Sequence, residues 1–231
     1  MLKQRLVAAT VLLSGCIGLG SPGPTTHERR LVQLDAAEVT RVRLRMGAGE
    51  LDVRGGAATL LEADFAYNVP EWKPSVNHSM KGSSSDLEVS QGDGPTMFGD
   101  TENRWRLALN DARPIELNAR LGAGEARMTL GSLHLKRVEL HVGAGEANVD
   151  LRGHPSESYR VEIHGGVGSA TVRVPTTVGI SATASGGLGS ISVSGLQERG
   201  GRWMNAHAEG SPVTIELDVR GGIGEIKIVA D

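Results

Sequence analysis

The residues whose types and spacing most suggest chemistry in this chain are glycines, because three of their clusters look like ligand loops. Gly165-Gly166-Val167-Gly168, Gly186-Gly187-Leu188-Gly189 and Gly221-Gly222-Ile223-Gly224 each match the first half of the calcium-binding Gly-Gly-x-Gly-x-Asp nonapeptide. The Asp that would ligate the ion is replaced by Ala170, Ile191 and Ile226, so calcium binding is not expected. A Gly-x-Gly pair also opens dinucleotide-binding loops, where a strand leads through Gly-x-Gly-x-x-Gly into a helix whose N-terminus meets the pyrophosphate. Here an alternating apolar run, the pattern of a strand, follows every pair.

The other reactive residue types are no better placed. The seven histidines show no His-Glu-x-x-His spacing. His141 and His164 hold equivalent repeat positions and, with Glu146, come nearest to a zinc set, but the repeat places no further ligand and no metal is expected. Asp93, Asp100 and Glu102 read as a solvated acidic loop. No Gly-x-Ser-x-Gly elbow or Ser-x-x-Lys motif occurs, so no catalytic residue and no cofactor are expected, and the chain reads as non-enzymatic.

Cys16 is the single cysteine, so no disulfide can form within one chain. It follows Lys3, Arg5, the apolar run Leu6 to Leu13, and Ser14-Gly15, an arrangement that resembles a bacterial lipoprotein signal with its lipobox. A run this short falls well below the roughly 20 residues that span a bilayer. The resemblance implies a signal peptide over 1–15, cleavage before Cys16, and a diacylglycerol on its thiol that makes the membrane a partner. Ile17 stands where an Asp would retain a Gram-negative lipoprotein at the inner membrane, so the outer membrane is favoured within the cell envelope. Residues 16–30, with Gly18, Gly20, Ser21, Pro22, Gly23 and Pro24, read as the lipidated residue and a flexible tether. Without Lys3 and Arg5 the chain carries 22 basic residues against 27 acidic ones and no basic run, so nucleic acid is not an expected partner.

The elements that must position these residues follow from six pairs, Gly47/Gly49, Gly122/Gly124, Gly143/Gly145, Gly166/Gly168, Gly187/Gly189 and Gly222/Gly224. Counted from the first Gly of a pair, apolar residues precede it at minus 5, minus 3 and minus 1, as in Val42, Leu44 and Met46. They return at plus 4 and plus 6, as in Leu51 and Val53. Minus 1 to plus 4 is an odd step, which would turn the second apolar set away from the first in a continuous strand. The glycines are therefore expected to form structural corners that restore the phase and return a second short strand to the same core. The expected fold is all-β: a β-solenoid, or stacked short-strand sheets, built from Gly-x-Gly-centred repeats of about 21–23 residues. Outward positions minus 2 (Arg45, Arg120, His141, His164, Ser185, Arg220) and plus 3 (Glu50, Glu125, Glu146, Ser169, Ser190, Glu225) change together. This predicts an exposed charge ladder meeting across the corners or between rungs, with Glu50, Glu125 and Glu146 as candidate binding residues should it serve as a docking stripe.

Between Leu60 and Asn110 the repeat lapses and five of the seven aromatics gather, among them Phe65, Tyr67, Trp72, Phe98 and Trp105. Strands are expected over 62–68, 86–90 and 104–110, with the aromatics closing the end of the stack. The alternative is a glycan- or peptide-binding surface using Trp72 and Trp105, with Trp72 the most exposed and Trp203, in a second irregular insertion, a further candidate.

The segment from Met46 to Gly56, Met-Gly-Ala-Gly-Glu-Leu-Asp-Val-Arg-Gly-Gly, with Phe65, Tyr67-Asn68, Lys73-Pro74 and Leu87 to Gln91, resembles the toast-rack domain of unknown function. The later Gly-x-Gly-Glu copies resemble the related "putative adhesin" β-solenoids and the C-terminal domains of bacterial envelope-stress proteins. The resemblance covers about residues 31–231, divided into a toast-rack-like part over 31–116 and a repeat solenoid over 117–231. It implies a β-solenoid at the cell envelope that binds another protein or a second copy of itself in adhesion, scaffolding or envelope sensing, and it transfers no catalytic residue. The competing expectation is a carbohydrate-binding module for peptidoglycan or a surface glycan.

Overall fold

The computed structural model describes residues 22–94 and 100–231; the signal over 1–15, Cys16 and Phe98 lie outside the described residues. Six strands form the first part: β1 (Thr26–Val32), β2 (Val39–Arg54), β3 (Leu61–Tyr67), β4 (Ser75–Lys81), β5 (Ser84–Ser90) and β6 (Asn103–Leu109). Seven follow: β7 (Ile115–Thr129), β8 (Leu135–Asp150), β9 (Tyr159–Val174), β10 (Gly179–Ser194), β11 (Gln197–Arg199), β12 (Arg202–Met204) and β13 (Thr214–Ala230). All belong to one sheet, and the described residues contain no α-helix, only a single 3-10 turn at Pro70–Trp72. The fold is thus all-β and built on the Gly-x-Gly repeat.

Each repeat is one continuous strand of 15 to 17 residues bent at its glycines, where two separate short strands were expected. The second glycine of every pair, Gly49, Gly124, Gly145, Gly168, Gly189 and Gly224, has φ between 126° and 140°. Only glycine adopts this conformation without a Cβ clash, and it supplies the phase reversal that the odd apolar step demands. The first glycine is required for a different reason. A Cβ at Gly122, Gly143, Gly166 or Gly222 would overlap the carbonyl oxygen of the neighbouring copy's glycine, so the corners close only because they stack on one another.

Six bent strands stack in parallel and in register, in the order β2-β7-β8-β9-β13-β10. The sixth copy inserts between the fourth and the fifth. Hairpin β11–β12 pairs with the outer edge of β10 at Ser181 and Ala182, so the returning chain can join β10 only along its inner edge. The aliphatic content fits that order: β13 brings Ile215, Leu217, Val219, Ile226 and Ile228 to an interior rung, while β10 brings the less bulky set Ile180, Ala182, Ala184, Ile191 and Val193 to the terminal one. Inward rows from both arms, such as Leu44-Ala119-Leu140-Ile163-Val219 and Val53-Met128-Val149-Val172-Ile228, join in one apolar cluster. Each fully buried aliphatic side chain contributes about 1.5–3 kcal/mol, so the in-register columns carry most of the fold's stability.

The first end of the stack is covered over both arms. β5 lies parallel to the first arm of β2 and β6 to the second, forming a rung split at its corner. β4 then covers β5, and β3 and β1 cover β6, all antiparallel. The strands expected over 62–68, 86–90 and 104–110 are β3, β5 and β6, and the aromatics close this end: Phe65, Tyr67, Trp72 and Trp105 are buried. The expected tether is shorter than 16–30, because Thr26 to Arg30 belong to β1 and pair with β3 along its whole length. Nor is there a structural break at 116/117, since β2 and β7 are neighbours from Thr40/Ile115 to Arg54/Thr129.

Candidate interaction surface

The corners divide into two groups. In the first three copies the residue before the pair is Met46, Leu121 or Val142, buried inside the bend, and the residue between the glycines is Ala48, Ala123 or Ala144. In the last three the pattern inverts: Gly165, Gly186 and Gly221 precede the pair, and Val167, Leu188 and Ile223 sit within it. Removing the inward side chain leaves a recess of about 70 Å³ inside the bend, walled by Val142, Ile163, Ala170, Ile191 and Ile226. A Cβ at Gly165 or Gly186 would meet nothing nearer than 3.9 Å, so these glycines are not needed for close approach and serve to keep the recess empty.

The displaced aliphatic groups also line this recess and reach solvent. Register places Val167 beside Ile223 and Ile223 beside Leu188, a continuous row with exposures of 55, 52 and 70%. Ile191 adds a further 42%-exposed aliphatic group on the terminal rung. Beyond Ala182, β10 has no strand on its outer edge among the described residues. A ridge of branched aliphatics, an apolar recess beneath it and an unpaired strand edge therefore coincide at one end of the stack. This is the composition of a surface that gains by being covered. The inversion of Gly and aliphatic between the two groups of copies was its signal in the sequence.

The candidate residues read from the sequence lie elsewhere. Glu50, Glu125 and Glu146 do stack as one row along neighbouring rungs. The ladder across the corners does not form. Glu50 accepts a hydrogen bond from Arg104 at 2.7 Å, Glu125 pairs with Arg127 two residues away, Arg45 pairs with Glu88, and Arg220 with Asp218 at 2.6 Å. Each bend points the minus 2 and plus 3 side chains outward from different arms, so charges meet within an arm or between rungs. The hydrogen bond from Arg104 holds the Glu50 carboxyl below its ordinary value against the opposing effect of burial, aided by the charges of Arg104, Arg127 and Arg106. This row reads as a solvated, partly neutralised face.

Trp72 and Trp105 are both buried, which corrects the expectation of an exposed aromatic platform. Trp105 meets Phe65 edge to face at 5.5 Å between ring centroids and donates its indole N–H to Asn103 at 2.9 Å. Trp203 is half-buried against the core under the β12 hairpin. Their apolar surface was better used in covering a stack end than in meeting solvent. Asn103 and Gln91 complete the split corner. The Gly47 N–H donates to Gln91 Oε1 at 2.9 Å, and Asn103 Nδ2 donates to the Ala48 carbonyl at 2.7 Å, two side-chain amides replacing the backbone of an absent neighbouring corner.

Two polar clusters have suggestive membership. His141 and His164 stack, their rings 4.6 Å apart and 12° from parallel, as their equivalent positions implied. His78 Nε2 lies 2.9 Å from both Ser85 Oγ and Asp35 Oδ2. A hydrolytic triad requires the carboxylate on one ring nitrogen and the hydroxyl on the other, with the hydroxyl open to substrate. Here both contacts converge on one nitrogen and Ser85 is fully buried. With Arg113 on Asp35 at 3.2 Å the cluster pins the segment before β2 to the β4–β5 hairpin. Burial alone would raise the Asp35 carboxyl, but hydrogen bonds from the Ala37 N–H, Ser85 and His78 outweigh it and hold it below its ordinary value.

Comparison with known proteins bears on the whole stack. No curated protein matches the sequence. Among solved structures, a "putative cell adhesion protein" from Clostridium sporogenes ATCC 15579 is 30% identical, with a TM-score of 0.87 over 90% of this chain and 100% of that one. A "putative adhesin" from Bacteroides fragilis NCTC 9343 is 12% identical over 89% of this chain and 97% of that one, and its TM-score of 0.34 marks only a loose likeness. Residues 21–173 match the model of the N-terminal domain of toast_rack, DUF2154. With in-register bent strands, glycine corners and that match over most of its length, the chain belongs to the toast-rack family.

Proposed function

We propose that this protein is a non-enzymatic lipoprotein of the bacterial cell envelope that presents its bent-strand stack for protein–protein interaction. The observation that carries this reading is the asymmetry of the stack: one end is sealed by buried aromatics and side-chain amides, while the other exposes Val167, Ile223 and Leu188 beside a free strand edge. The cell-adhesion description of the Clostridium sporogenes protein supports an interaction role, and the lipobox pattern around Cys16 supports a lipid anchor, with the outer membrane favoured by Ile17. Chain geometry fits such an anchor. Gly23 donates its N–H to the Asn68 carbonyl beside β3, which supports a reading in which the anchor lies toward the sealed end and the apolar ridge faces away from the membrane.

The test is site-specific photo-crosslinking of the lipidated protein in its native envelope, with the crosslinking residue at Val167 or, as a control, at Glu125. Reproducible protein adducts at 167 and few at 125 are expected; absence of protein adducts at 167 overturns the interaction reading. Metabolic labelling with an alkyne fatty acid tests the anchor: label and membrane association should both be lost on Cys16→Ala.

A further inference from the structure

We infer that the partner of the free edge is a second copy of this chain, joined antiparallel about a two-fold axis along Leu188 to Ser194 of β10. The inference names the occupant of the surface assigned above and rests on that reading.

The edge itself is the first argument. β13 pairs with β10 from Gly179 to Ser194, but on the outer side β12 covers only Ser181 and Ala182. The outer backbone groups of the second arm are thus a template for another strand. An edge of this kind is ordinarily protected by lysine, proline, a bulge or an inward charge. Leu188-Gly189-Ser190-Ile191-Ser192-Val193-Ser194 has none of these, and no charged residue or histidine occurs from Val174 to Gln197.

Charge selects the partner. A two-fold axis sets a surface against itself, so any charged row on the edge would meet its own sign. The equivalent positions are Glu225 and Lys227 on the adjoining β13 and Glu125 and Arg127 on β7, with Glu146 and Asn148 on β8 and the neutral Ser169 and Thr171 on β9. On β10 they are Ser190 and Ser192. Such an edge accepts its own copy without repulsion and offers no complement to a basic or acidic partner.

The apolar columns give the third argument. Ile191 is 42% exposed and Val193 half-buried because they end the inward plus 4 and plus 6 rows with no further rung above them. A second copy paired about Ile191 continues the plus 4 row with its own Ile191, and sets Ser190 opposite Ser192 and Val193 opposite Gly189.

The test uses the full lipidated chain, purified from membranes in detergent and followed by sedimentation velocity across micromolar concentrations. A monomer–dimer equilibrium is expected. Ser192→Lys should raise the dimer dissociation constant by at least about tenfold while leaving the melting temperature unchanged at concentrations where wild type is monomeric. Mixing the Ser192→Lys chain with a Ser190→Glu chain should restore a dimer that neither variant forms alone. A wild-type chain that stays monomeric, or a Ser192→Lys chain that dimerises as before, overturns self-pairing. In either case adducts at 167 to another envelope protein leave the interaction reading standing, whereas a silent ridge removes both.

Discussion

The two ends of the stack solve the same problem in opposite ways. Every parallel rung needs a neighbour on each side, for its backbone groups and for its apolar rows. At the β2 end both needs are met: β5 and β6 cover one arm each, Gln91 and Asn103 stand in for the missing corner, and Trp105, Phe65, Tyr67 and Trp72 fill the interior. At the β10 end only part of the first arm is met, by β12 and Trp203. Sealing takes five strands and the aromatics Phe65, Tyr67, Trp72 and Trp105, so it reflects a strong demand. The other end is left open, neutral and aliphatic, and the proposed interaction rests on that difference.

The same contrast can be broken at the level of single glycines. Gly145→Ala forces a Cβ into φ +127° and into the Gly124 carbonyl, and the loss should be on the order of 3–5 kcal/mol. Urea unfolding measures it, and a loss under about 1 kcal/mol would mean that the corner relaxes. Trp105→Ala, which empties the centre of the sealed end, should cost about 3–5 kcal/mol by the same measurement. Asn103→Ala should cost about 1–3 kcal/mol, because it strands both the Trp105 indole N–H and the Ala48 carbonyl.

Acid should weaken the sealed end, as it should the rungs that hold the lowered carboxyls of Glu139, Asp150 and Asp218. Burial would raise the Asp86 carboxyl, but hydrogen bonding from Lys81 and the charges of Arg43, Lys81 and Arg41 more than offset it and hold it low. Asp35 is lowered as well. A carboxylate whose folded value is depressed adds stability that is complete above its unfolded value near 4 and is lost as pH falls through the folded value. The urea midpoint should therefore fall as pH drops below about 4, and Asp86→Asn, weaker at neutral pH, should approach wild type at the acid limit. A constant wild-type-to-variant difference across that range would rule out this contribution.

The smallest expected effect has the opposite sign. Gly186→Ala, at an ordinary φ and with 3.9 Å of clearance, should stabilise the fold by about 0.4–1 kcal/mol through loss of unfolded-chain freedom. A destabilisation comparable to that of Gly145→Ala would show that the recess is needed for folding rather than for what covers it.

Much of this was legible locally. The odd step between apolar sets required a phase reversal at each Gly-x-Gly pair, and the positive φ of Gly49 and its equivalents supplies it. Alternation around Phe65, Leu87 and Leu107 located β3, β5 and β6 within a residue or two. The charged rows misled because covariation of minus 2 with plus 3 implies proximity only if the two positions share a face, and the bend separates them. Trp72 misled because flanking Glu71, Lys73 and prolines describe a surface loop, whereas the 3-10 turn at Pro70–Trp72 carries the indole inward. β1 and β4 were missed, their residues being mostly exposed on the outermost layer and so without apolar alternation.

By itself, then, the sequence determined the bent strand and its apolar faces, since both follow from side-chain alternation and from the backbone freedom of glycine within a few residues. Only the tertiary structure decided the order of the rungs and which end stays open. Stacking order depends on where hairpin β11–β12 lies, and the interior place went to β13 over β10 because its aliphatic rows have more to gain from a neighbour on each side. Those are comparisons between segments distant in the chain, and no local pattern records them.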